Sequence, residues 1–133
     1  MRDDPAMKTK KRPSPDLETG LDEILDGADP GVAKTARDLV ALLNRHPDLT
    51  PKVQLGWRSV NFRHPKAGFV CAVFPQKVDT ILVFENGRML DNTRGLLEGD
   101  GLKKVRFVRL KPGKRIPAGD IGALLGEAIA LRV

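Results

Sequence analysis

Seven cations stand within thirteen residues near the C-terminus: Lys103, Lys104, Arg106, Arg109, Lys111, Lys114 and Arg115, with no acid among them. A strip of this kind could steer an anionic partner. It could equally be an edge strand whose lysines block edge-to-edge pairing. A second grouping, Asp22, Glu23 and Asp26, offers carboxylate oxygens of the sort hard iron accepts, with Asp22 and Asp26 one helical turn apart. Acids near a helix start are also what the helix dipole favours. A third is the pair Trp57-Arg58, because Trp and Arg are the residue types most enriched at interface hot spots. Glu98 sits where it could pair with Arg106 or Arg109.

Other chemistry is excluded by spacing. Cys71 is the only cysteine, and His46 and His64 are far apart, so neither a zinc set nor a disulfide can be assembled. A thiol among apolar neighbours, with no activating cation, is a small hydrophobe rather than a nucleophile. Gly87, Gly95, Gly99 and Gly101 lie between two β-type runs, but they match no phosphate-binding spacing. No catalytic constellation is legible. For nucleic acid, five Phe, one Trp and no Tyr show no interleaved aromatic platform, and no helix-turn-helix pattern is present. Nucleic acid is therefore not the favoured partner.

The elements that must position these residues follow from periodicity. Residues 1–16 are polar and rich in Pro and Lys, and are read as a disordered basic tail. Residues 17–133 form one domain. Leu17, Leu21, Ile24 and Leu25 recur at helical spacing, with a weak start at Thr19 or Gly20 and an end near Gly27. Asp29 as N-cap and Pro30 at the first position open a stronger helix, which Pro47 should stop at Arg45 or His46. From Pro51 the period becomes two: Val53, Leu55 and Trp57, then Val60 and Phe62 after a register break near Arg58. The runs Phe69–Phe74 and Thr80–Phe84 are apolar at both parities. Lys103–Leu110 is the last strand, and its bulky residues are taken to be Val105 and Phe107. A final helix opens at Pro117 or Ala118. Its three glycines, Gly119, Gly122 and Gly126, imply close packing on a sheet.

This order predicts an α+β fold: a single, mainly antiparallel sheet of about five strands, with an N-terminal and a C-terminal helix packed on one face. Two helices cannot cover both faces. The second face must be closed by the glycine loop, by curvature or by another copy of the chain, which makes a homodimer one expectation. The loop itself reads as structural, with Leu96 and Leu97 tucked under the sheet and Gly99 and Gly101 at positive φ.

Bulk properties agree with a globular chain. There are 133 residues, 41% hydrophobic and 30% charged. No apolar run approaches the roughly 20 residues of a membrane span, and the N-terminus has no signal-like apolar core. Together with the lone cysteine this predicts a cytoplasmic protein with no membrane partner. The net charge of +6 is unevenly spread. Residues 1–15 hold five cations against two acids and residues 103–115 hold seven against none, whereas the remainder holds eleven against fifteen.

The second half of the chain resembles a known family. Phe84-Glu-Asn-Gly-Arg-Met-Leu-Asp-Asn, Gly95-Leu-Leu-Glu-Gly-Asp-Gly and Val105-Arg-Phe-Val-Arg-Leu, followed by a terminal helix, are similar to the YdhG-like family. That family is a bacterial domain of unknown function. The resemblance covers roughly Asp29 to Leu131 and implies a small α+β domain. Some members are described as frataxin-like iron chaperones, which implies iron as a cargo. Gly56-Trp57 matches the family's glycine–aromatic step, but Arg58-Ser59 replaces the proline that commonly follows. Taken together, the expectation is a non-enzymatic binding or accessory module, with iron handling as the alternative and weak nonspecific nucleic-acid binding as a second one. The binding candidates are Trp57, Arg58, Glu98, Arg106 and Arg109.

Overall fold

The computed structural model of the protein describes residues 16–133, so the tail reading lies outside the described residues apart from Asp16. Asp16 is the N-cap of helix α1 (Leu17–Ile24), its carboxylate accepting from the Thr19 backbone N–H at 2.9 Å and from the Thr19 hydroxyl at 3.2 Å. That cap starts the helix earlier than the expected Thr19 or Gly20. It also ends earlier, at Ile24, which leaves Asp26 in the following turn. Helix α2 (Pro30–Asn44) begins as its sequence requires. Asp29 accepts from the N–H groups of Gly31 and Val32 at 2.9 and 3.1 Å, and Pro30 occupies the first turn, where its missing N–H costs nothing. Its buried side is Val32, Thr35, Ala36, Leu39, Val40 and Leu43.

Six strands follow: β1 (Thr50–Gln54), β2 (Ser59–His64), β3 (Gly68–Pro75), β4 (Thr80–Phe84), β5 (Leu97–Glu98) and β6 (Arg106–Leu110). They form one sheet in the order β1-β2-β3-β4-β6-β5, every neighbouring pair antiparallel. The sixth strand is the two-residue β5 inside the glycine loop, too short to leave a periodic trace. Helix α3 (Ala118–Ala130) closes the chain.

Alternation sorts the strand residues cleanly. Val53, Val60, Phe62, Cys71, Val73, Leu82, Phe84, Val108 and Leu110 join the side chains of all three helices in one buried cluster. All the helices therefore lie on one face of the sheet. Each large side chain fully buried there contributes about 1.5–3 kcal/mol against exposure. Two expectations are corrected by this arrangement. In β6 the buried residues are Val108 and Leu110, not Val105 and Phe107, because β6 pairs as Leu82↔Val108 with the core-facing residues of β4. In α3, a Cβ added at Gly119, Gly122 or Gly126 would meet nothing within 4 Å, so these glycines face outward and do not bring the helix closer to the sheet.

Candidate functional site

The helix-free face of the sheet carries the side chains of opposite parity. Phe74, Ile81, Val83 and Phe107 are half-buried on it and belong to no part of the core cluster. Phe69 joins them through a bulge. Phe62 pairs with Cys71, but the next pairing is Arg63↔Phe69, so Val70 is the extra residue in β3. Val70 is buried, and Phe69 is set opposite Arg63 on the open face. Three of the five phenylalanines thus share one uncovered surface, and only Phe62 and Phe84 are core. The sequence shows no interleaved aromatic platform, and these phenylalanines, scattered in sequence, come onto one face only when the strands are registered side by side. The glycine loop reaches this face at Phe107, where a Cβ on Gly99 would lie 3.4 Å from the ring.

Trp57 stands at a corner of the same surface. The alternation Val53-Leu55-Trp57 breaks after Gln54, where Leu55–Trp57 forms a 3-10 turn and Arg58 adopts a left-handed backbone with φ 53°. Trp57 is consequently 75% exposed. With Gln54, Asn61, Arg63, Phe69, Ala72 and Phe74 it lines an open cleft of about 350 Å³. The Ser59 hydroxyl lies 3.0 Å from Asn61 Oδ1, which orients that amide and directs its NH₂ away from Ser59. Arg58 itself turns away, its guanidinium donating to the Ile24 carbonyl at 2.6 Å at the end of α1.

The remaining candidates are mostly occupied by structure. Arg109 lies on the open face and donates to Asp79 at 2.6 Å and to Glu98 at 3.2–3.3 Å, its guanidinium 5.4 Å from the Phe107 ring centre. These bonds, to Asp79 first and then Glu98, push the Arg109 guanidinium above its ordinary pKa, so it stays charged at any working pH. The Asp79 side chain is only 6% exposed, and Arg109 neutralises it. Arg106 is turned to the other face and donates to the carbonyls of Leu102 and Val105 at 2.9 and 2.8 Å. The structure therefore brings Trp57, Glu98 and Arg109 to one side of the sheet, and assigns Arg58 and Arg106 to holding loops.

The glycine loop is folded by its own polar groups. The Asn92 side chain donates to the Leu97 carbonyl at 3.1 Å and accepts from the Leu97 N–H at 2.9 Å, imitating a strand neighbour. Positive φ falls on Gly95 (72°) and Gly99 (108°); Gly101, expected to share this role, does not adopt it. Leu97 is buried, while Leu96 is half-buried and lines a groove. That groove, about 620 Å³, runs along β6 past the start of β5, with Lys111, Lys114 and Arg115 on its wall. Among the described residues none of these three makes an ion pair.

The acidic candidates do not form an iron site among the described residues. Asp22 is held by Arg37 at 2.6 Å, Glu23 stays on α1, and Asp26 has left the helix whose face it was to share. Among the described residues, no three His, Cys, Asp or Glu side chains converge on a metal-sized space. Cys71 is buried between β2 and β4, and burial pushes its thiol far above the ordinary range, which makes it inert. No helix among the described residues is long and apolar enough to cross a membrane. Compared with known proteins, the chain matches no family model, no curated protein and no solved structure.

Proposed function

We propose that this chain is a non-enzymatic binding module whose working surface is the open face of the sheet. The observation that supports this is the exclusion of Phe69, Phe74, Ile81, Val83 and Phe107 from the core cluster, with Trp57 exposed beside them. Monomeric proteins rarely leave a contiguous apolar patch of this kind uncovered unless something docks on it. The Leu-Leu-Glu-Gly loop and the Arg-Phe-Val-Arg strand support assignment to the YdhG-like family. The single, wholly buried thiol supports a reducing, cytoplasmic compartment.

A neutral apolar dye such as Nile red tests the surface directly. Native protein should enhance its emission, and Phe74→Ser should abolish the enhancement while circular dichroism remains native. No native-state enhancement, or an enhancement indifferent to Phe74→Ser, would remove the reading.

A further inference from the structure

We infer that the occupant of the open face is single-stranded nucleic acid, one unstacked base entering the cleft beside Trp57 and the strand continuing across the sheet toward the basic groove. This rests on the reading of the face as a docking surface.

Three features of the cleft match a base and its phosphate. Trp57 presents an indole that nothing in the fold covers, and base–aromatic stacking tolerates any sequence because every base has a π-face. Asn61 and Gln54 flank it with amides, and amides recognise the hydrogen-bonding edges of unpaired bases. Arg63 lies on the same wall with no ion pair among the described residues, which suits a phosphate.

The surface is larger than one nucleotide. Phe74 and Phe107 lie on the same face with Ile81 and Val83 of β4 between them, and the groove past β6 holds Lys111, Lys114 and Arg115 together with Glu98, which is paired to Arg109. Arg63 at the cleft and the three unpaired cations of the groove give the face an excess of positive charge among the described residues, complementary to a polyanion that carries its own stackable rings. A duplex keeps its bases stacked inward and cannot reach the aromatics. A second copy of the chain is the rival occupant. Six strands at about 4.8 Å spacing and five residues at about 3.3 Å give the face a flat outline of roughly 500 Å², which places a face-to-face dimer at the small end of specific interfaces. Two stacked copies would also set like charges against each other wherever these cations met.

The test is an anisotropy titration of the full chain with a labelled single strand of about 12 nucleotides, and with its duplex, near physiological salt of about 0.15 M. The single strand should bind in the micromolar range, and the duplex at least tenfold more weakly. Trp57→Ala should cost about fivefold or more, with partial recovery in Trp57→Phe. Arg63→Ala should lower the slope of log affinity on log salt by about 0.7. Because Trp57 and Arg63 are exposed, these variants keep the fold. The inference is overturned by absence of binding up to about 100 µM protein. It is equally overturned by duplex binding as tight as the single strand, by Trp57→Ala binding like the parent, or by a self-associated species in sedimentation that alone buries the face. If the strand fails to bind while native Nile red enhancement persists, the nucleic-acid occupant falls and the docking surface stands. If both fail, both readings fall.

Discussion

Arg58 is the only non-glycine residue among those described that adopts a left-handed backbone, and it also closes the C-terminal end of α1. The conformation costs about 1–2 kcal/mol relative to glycine, and the bond to Ile24 returns about 1 kcal/mol or somewhat more. Arg58→Ala keeps the strained backbone and loses the bond, so it should destabilise by about 1 kcal/mol. Arg58→Gly loses the bond but relieves the backbone, so its urea midpoint should stay near the parent's, within about 0.5 kcal/mol. The reverse order would show that Arg58 is not strained. Asp16 and Asp91 are a second residue-scale device. Their carboxylates accept from the N–H and hydroxyl of Thr19 and Thr93 respectively, and these bonds hold both below the ordinary value of 3.8. A depressed folded-state value means the stabilisation is present above the unfolded value and is lost as pH falls through the folded one. The Thr19 amide resonance should therefore move with Asp16 titration at a pH below 3.8. A midpoint at or above that value would mean the cap is not formed in solution.

At the scale of elements, the glycines separate into two kinds. Gly122 lies on the open side of α3, so Gly122→Ala should stabilise the protein by about 0.5–1 kcal/mol, read as a higher melting temperature. Gly87 is the opposite case. A Cβ there would lie 2.4 Å from Arg106 Cβ and 2.6 Å from its backbone nitrogen, so Gly87→Ala should cost about 1–3 kcal/mol by pushing β6 away. Equal effects from the two substitutions would contradict the packing. The α2 start was fully legible, since Asp29-Pro30 states its geometry in two residues. The outward glycines of α3 were not, because a helical pattern says which side is apolar but not whether the other side is covered. Strand β5 was hidden for a different reason: it is held by the Asn92 amide and by β6, both remote from any local period. The glycine–aromatic turn was misread as strand because the apolar alternation runs on through Leu55 and Trp57 after the strand itself has ended at Gln54.

For the molecule as a whole, the sheet's two faces should respond differently to the same kind of change. Leu82 belongs to the core cluster and Ile81, its neighbour, to the open face. Leu82→Ala should cost about 2–5 kcal/mol, whereas Ile81→Thr should cost under about 1 kcal/mol. Comparable losses would mean that something covers the open face in solution. The double-sided apolar character of β3 and β4 was the sequence signal for this surface, and it pointed to an uncovered face without saying which residues composed it. Register supplied the rest, since the Val70 bulge decides where Phe69 goes and no composition rule reports a bulge. The exposure of Trp57 carries one more consequence. It is the sole tryptophan of a chain without tyrosine, so ultraviolet emission comes almost wholly from one indole at the rim of the cleft. That indole is already in water when the protein is folded. Emission should therefore change little on unfolding and strongly on occupancy, so the chain reports on its ligand while remaining nearly silent about its own stability.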